Sequence, residues 1–310
     1  LWGYFKKMVI ADRLNIFVSH IYDNPQSYHG VVFLVATIFY SIQIYADFSG
    51  CMDIVGGVSE TFGITLEKNF DHPYFSRSIP EFWRRWHMTL GTWFKDYVFY
   101  PASRTRLCKD FNKWTRKRFG NSVSRIWSSV IPLLCVWLLT GLWHGAAWKY
   151  VAWGLFHGFL IIGGTVFAKQ IQQLTSFLRI QTDRFSWHLF QVLRTFTLCC
   201  IGRVFFRANG FRAAMDIFVR TFSDFQPWIL FDGSLYTYGL DRPNFLLALV
   251  CILILFFVDL LQERMALRKA FARQNLVFRW LILYAAIFSI LIFGIYGPGY
   301  DASQFIYNNF

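Results

Sequence analysis

The segment Gly141-Leu142-Trp143-His144-Gly145 puts an imidazole inside a stretch, Ile126 to Trp148, that contains no Asp, Glu, Lys or Arg. A bilayer-spanning helix needs roughly 20 mainly apolar residues, and ionisable groups in such stretches are rare, inward-facing and functional. An imidazole, with an ordinary pKa of about 6.5, suits general-base work at neutral pH. At about 3.6 residues per turn, Trp137, Gly141, His144 and Trp148 share one helical face, and Gly141 and Gly145 let another backbone or a ligand approach closely. The segment by itself reads equally as a reactive site or as a histidine bonded to a neighbouring helix, with glycines that serve helix packing.

A second constellation is Pro80-Glu81-Phe82-Trp83-Arg84-Arg85-Trp86-His87, followed by Trp93, Lys95, Asp96 and Tyr97. Trp83 and Arg84 read first as an interfacial anchor, indole at headgroup depth with a snorkelling arginine. His87 supplies a second imidazole beside another apolar segment. Acyl transfer, for example, needs a base for the attacking hydroxyl and a donor for the carbonyl oxygen. Arg85, Trp86 and Trp143 are candidate lining residues around the two histidines. Asp47, in Gln43-Ile44-Tyr45-Ala46-Asp47-Phe48-Ser49-Gly50, ends an apolar run with no other acid; it reads as a site residue or as the cap of a following short helix. His157, in Trp153-Gly154-Leu155-Phe156-His157-Gly158, echoes the first segment and reads as a partner to His144 or as a packed histidine. Arg203 and Arg207 are expected to pair with acids or to reach a headgroup surface.

These residues need a membrane framework to hold them. Of 310 residues, 55% are hydrophobic and only 16% charged, with a mean hydropathy of +0.36, against about 25% charged in soluble domains. The chain therefore reads as an integral membrane protein. Its formal charge of +13 lies between apolar runs, as the positive-inside rule produces, and argues against nucleic acid as a partner. Six cysteines include no CxxC pair, and there is no HExxH, so no metal is expected. Neither a Gly-rich phosphate loop nor a GxSxG elbow occurs, which leaves soluble hydrolases and nucleotide-driven pumps without support.

Runs of spanning length are Val31 to Ser49, Ile126 to Trp148, Tyr150 to Ala168, Trp187 to Ala208, Phe245 to Leu261 and Trp280 to Tyr300. All read as helices. Residues 73 to 101 mix aromatics with charge and read as short, broken or re-entrant helices at the centre of the bundle, because irregular backbone at membrane depth must be buried or line water. The fold expected is all-α: a polytopic transmembrane helical bundle with such short helices around a central tunnel, one domain over residues 1 to 310. Residues 103 to 125 carry eight Lys/Arg and residues 262 to 279 carry five; both loops are expected to face the cytoplasm.

Taken in order, these segments resemble the membrane-bound O-acyltransferase (MBOAT) superfamily, specifically its bacterial alginate O-acetyltransferase-like branch. The resemblance is carried by Gln43 to Gly50, Asn69-Phe70 with Pro73 to Ser78, Glu81 to His87, Thr92 to Tyr97, Gly141 to Gly145, Trp153 to Gly158, Arg203 to Ala208 and Gly294 to Pro298. It implies a catalytic histidine at His144 and a second polar site residue at His87. It also implies further helices before Leu1, so the chain is expected to begin partway through a longer protein.

The resemblance further implies transfer of a short acyl group, acetyl, to hydroxyls of a cell-surface polysaccharide across a bacterial cytoplasmic membrane. No bound cofactor is expected. The donor would be a cytoplasmic thioester, acetyl-CoA or an acyl carrier protein, and a partner with an extracytoplasmic, SGNH-hydrolase-like domain would complete delivery. The alternatives kept open are D-alanyl transfer to teichoic acid and, from another class, a proton-coupled transporter with buried histidine relays. A purely structural scaffold is the third, disfavoured because glycines around the two histidine segments leave space.

Overall fold

The computed structural model describes residues 1–296; the end of the last apolar run, and with it Gly297 and Pro298 of the final motif, lies outside the described residues. Apolar side chains cannot satisfy backbone polar groups, so long apolar runs close those bonds within themselves as helices. Among the described residues, five helices are long and apolar enough to cross a membrane: Val31–Thr61, Val123–Trp143, Phe185–Arg207, Arg242–Arg264 and Leu276–Phe293. A sixth candidate is the pair Trp148–Val166 and Ala168–Phe177, bent by 62°. Every expected run falls largely within one of these, and the described residues form no named strand. The all-α polytopic reading holds.

Polar side chains set where several helices begin. Thr105, Asp241 and Asn275 accept hydrogen bonds from the backbone N–H of Cys108, Asn244 and Phe278, satisfying donors that a helix start leaves open. Ser78 does the same for Glu81 N, with Pro80 in the first turn of the short helix Ile79–Arg85.

The chain divides into two compact units, residues 68–206 and the remainder. In the unit made of residues 1–67 and 207 onward, the Val31–Thr61 helix is buried along most of its membrane-length window and packs against Asp12–Tyr22 and the π-helical Phe5–Ala11. That π segment carries two lysines into a polar cluster: Lys7 bridges Asp12 (2.8 Å) and Asp47 (2.7 Å), and Lys6 meets Asp53 (2.7 Å) and the Ser49 hydroxyl (2.9 Å). Arg207 pairs with Asp23 at 2.9 Å, as expected of it. Asp47 caps nothing. It lies in the middle of one continuous helix, because the apolar pattern runs on through residue 50 and a helix accepts an inward acid that finds a cation.

The unit of residues 68–206 is built on a helical hairpin, Val130–Trp143 against Trp148–Val166. Small residues make that close approach feasible. A Cβ on Gly154 would lie 2.3 Å from the Trp137 carbonyl oxygen, one on Gly141 2.5 Å from that of Tyr150, and one on Gly158 2.9 Å from Trp137 Cβ. Of the two possible visitors to these glycines, the neighbouring backbone is the one present. Space left by glycines is therefore no argument against a scaffold. Residues 73–103 form short helical pieces, among them Ile79–Arg85, Met88–Phe94 and Tyr100–Ser103, in line with their mixed composition.

Candidate active site

His144 sits at the end of a helix. The Val130–Trp143 helix stops there, Gly145 takes φ +139°, a conformation that L side chains rarely adopt, and the next helix begins at Trp148. The expectation that Trp137, Gly141, His144 and Trp148 share one helical face fails at its last member, since Trp148 starts a new helix and is 80% exposed. Periodicity counts residues along an uninterrupted helix and is blind to a turn made of His, Gly and Ala.

The turn buries the imidazole: His144 is 7% exposed. Aromatic rings surround it, among them those of Trp143 at 4.7 Å between centroids, Trp153 at 4.9 Å, Phe206 at 5.0 Å and Tyr150 at 6.3 Å. Trp143 is half exposed and its ring also meets that of His87, at 6.1 Å. One indole thus touches both histidines. His87 and Arg203 both lie within electrostatic reach of His144.

His87 is placed by a strained turn between Ile79–Arg85 and Met88–Phe94. Its φ of 47° puts a non-glycine residue in the left-handed region, a conformation that costs of order 1 kcal/mol and persists where the surroundings over-determine it. Here a short backbone pairing does so: Phe70 bridges Trp86, Asp71 N donates to Arg85 O (2.9 Å), and Met88 N donates to Asn69 O (3.0 Å). Arg85 reinforces the pairing, ion-paired with Glu81 at 3.0 Å and donating to the Asp71 carbonyl at 3.3 Å.

Asn69 then fixes the imidazole. Its Oδ1 accepts from the Thr89 hydroxyl at 2.6 Å and stands 3.2 Å from His87 Nδ1. An amide oxygen only accepts, so neutral His87 carries its proton on Nδ1 and presents the lone pair on Nε2. In that form Nε2 can orient a hydroxyl by accepting from it. It cannot stabilise an oxyanion.

The remaining sequence candidates divide. Trp86 is buried, stacked on Phe82 at 5.5 Å, with the Arg203 guanidinium 4.5 Å above its ring. His157 is packed: its Nδ1 accepts from Trp83 Nε1 at 3.3 Å, and the rings of Trp83, Trp137 and Trp153 enclose it. Trp83, expected as an interfacial anchor, belongs instead to this tryptophan cluster, while Arg84 is exposed. Asp47 belongs to the other unit, on Lys7.

Three groups escaped the sequence reading. Asn69 stood in a motif without a role. Arg203 was expected to pair with an acid or reach a headgroup surface; among the described residues it has no carboxylate partner, is 4% exposed, and lies against Trp86, Phe206 and the Tyr74 hydroxyl. Trp153, 1% exposed, and Arg203 each bury an N–H donor, Nε1 and Nη2, that meets no acceptor among the described residues. No local pattern would have signalled either.

Apolar helices of spanning length with two imidazoles against one indole define a multi-pass helical membrane protein with a candidate acid–base site. Residues 1–208 match the MBOAT, membrane-bound O-acyltransferase family, and the chain belongs to that family. Among its relatives are the probable alginate O-acetylase AlgI of Pseudomonas syringae pv. tomato, 33% identical over 74% of this chain and 38% of that protein, and the peptidoglycan O-acetyltransferase of Helicobacter pylori, 32% identical over 69% and 36%. The teichoic acid D-alanyltransferase of Bacillus subtilis is 30% identical over 67% of this chain and 49% of its own length. The matched region thus spans between about a third and a half of each of these relatives.

Proposed function

We propose that this chain carries the acyl-transfer site of a bacterial cytoplasmic-membrane enzyme that moves a short acyl group, acetyl, from a cytoplasmic thioester to hydroxyls destined for a cell-surface polysaccharide. The observation that carries the reading is the single Trp143 ring in contact with both His87 and His144. Family membership supports it, as do relatives named for O-acetylation of two different cell-surface polymers.

The chemistry follows from the placement. Neutral His144 takes the proton of an acceptor hydroxyl as its oxygen attacks the thioester carbonyl. His87, through the Nε2 lone pair that Asn69 leaves it, orients that hydroxyl. The aromatic shell of His144 keeps water from competing with the acceptor. When the C–S bond breaks, the leaving thiolate collects the proton from His144, and the histidine is restored. Thioester cleavage supplies the driving force, so no ATP is needed. A partner with an extracytoplasmic, SGNH-hydrolase-like domain completes delivery to the polymer.

A second reading, D-alanyl transfer to teichoic acid, draws on the Bacillus subtilis relative and uses the same two histidines; the donor separates the two. Purified protein in lipid nanodiscs together with its extracytoplasmic partner, given acetyl-CoA, acetyl-loaded acyl carrier protein or D-alanyl-loaded carrier protein in parallel, should release thiol only when an acceptor polysaccharide is present. Proton transport with no thiol release from any donor would favour a transporter and refute the proposal.

A further inference from the structure

Acyl transfer at His144 has one requirement that neither histidine meets, and the donor pair assigned to it here rests on the acyl-transfer reading. Attack of a hydroxyl on the thioester carbonyl forms a C–O bond and drives the carbonyl π pair onto oxygen. That oxyanion must be held by donors until the pair returns, the C–S bond breaks and the thiolate leaves with the proton from His144. His87 in the tautomer set by Asn69 presents an acceptor at Nε2.

The buried donors of this unit that have no acceptor among the described residues include Trp153 Nε1 and Arg203 Nη2. Buried N–H groups in native chains are nearly always bonded, and the exceptions call for an explanation such as a ligand. Both belong to the surroundings of His144. The Trp153 ring stands edge to face with the imidazole at 4.9 Å, and the Phe206 ring touches His144 at 5.0 Å, Trp153 at 5.3 Å and the Arg203 guanidinium at 6.0 Å. The arginine is held without a neutralising carboxylate among the described residues, by the Trp86 face and the Tyr74 hydroxyl, so its charge stays available to an anionic oxygen.

We infer that Trp153 Nε1 and Arg203 Nη2 form the donor pair that holds the acyl carbonyl oxygen beside His144 and stabilises it as an oxyanion during transfer. A fixed, dry, cationic donor pair is worth most where negative charge develops only in the transition state.

Trp153→Phe removes one N–H and keeps an aromatic ring against His144; Arg203→Lys keeps the charge and loses the planar donor. Each would be assayed as full-length protein in nanodiscs together with the extracytoplasmic partner, with whichever of acetyl-CoA and acetyl-loaded carrier protein the wild type uses, and base-deacetylated surface polysaccharide as acceptor. Each variant should lose roughly 10²-fold in kcat, with an unchanged KM for the donor and an unchanged melting temperature. Wild-type kcat in Trp153→Phe, a loss that appears only in KM, or a loss that tracks the fraction of unfolded protein in both variants would overturn the inference. The wild type and His144→Ala in the same assay separate the levels: no thiol release by the wild type from any donor defeats the acyl-transfer reading, full activity of His144→Ala defeats its placement at His144, and an inactive His144→Ala beside a fully active Trp153→Phe defeats only the donor pair.

Discussion

The indole of Trp143 meets the His144 imidazole edge to face, ring centroids 4.7 Å apart, while the same indole lies 6.1 Å from His87. A half-exposed ring that touches both histidines is a shared wall, and its removal should cost function more than stability. Trp143→Ala should lower acyl transfer by at least roughly tenfold, on the order of 1.4 kcal/mol of barrier, with little change in melting temperature. Trp143→Phe should retain most activity. Turnover and thermal unfolding measured on the same nanodisc preparation check both halves.

The role of Asn69 is to decide which nitrogen of His87 carries the proton. Asn69→Ala removes the acceptor for Nδ1–H and for the Thr89 hydroxyl. Loss of one neutral hydrogen bond is worth about 1 kcal/mol, so turnover should fall roughly fivefold. Thr89→Val, which leaves the Asn69–His87 contact in place, should fall less. Equal effects in the two variants would place the importance of Asn69 in the turn rather than in the tautomer.

Packing of the hairpin that presents His144 depends on glycines whose missing Cβ is replaced by a neighbour's backbone. Gly154→Ala would set a methyl 2.3 Å from the Trp137 carbonyl oxygen. Overpacking of this kind costs about 1–3 kcal/mol, so the melting temperature should drop and activity should fall with it. Gly163→Ala, on the same helix with nothing within 4 Å of the added atom, should be neutral or slightly stabilising.

Lys7 bridges the buried Asp47 and the partly buried Asp12, whose side chains are 2% and 12% exposed. Breaking a buried pair from one side costs about 3–5 kcal/mol because it strands the other charge. Lys7→Met should therefore destabilise strongly, and adding Asp47→Leu should recover part of the loss. The exposed pair Arg268–Glu60, at 2.5 Å, offers the contrast: Arg268→Ala should change stability by less than about 1 kcal/mol. Chemical denaturation of these variants beside the wild type tests the ranking.

The features legible in the chain itself were those that depend on long apolar stretches. Each of the six runs lies largely in a helix or in the bent pair, because a run of that length and composition leaves the backbone no other way to satisfy itself. The short helices expected over residues 73–101 were legible for the converse reason, charge interrupting aromatics too often for one span. The fine placement of the site was not. The break after His144 depends on one glycine dihedral and on the Tyr150 ring beside it. Asp47 finds its cation 40 positions earlier, and the tautomer of His87 depends on an asparagine 18 positions before it. Arg203 and Trp153 become candidates only when their donors are seen buried without acceptors. Periodicity carries the orientation of a segment, while these relationships belong to pairs brought together by the fold.

The central claim is that His144 is the base of an acyl transfer. It is tested most directly in cells that make the polymer, with the O-acyl content of the surface polysaccharide measured by mass spectrometry alongside the amount of this protein in the membrane. His144→Ala, present at wild-type abundance, should leave the polysaccharide without the O-acyl groups that depend on this protein. Wild-type O-acylation in that strain would contradict the assignment.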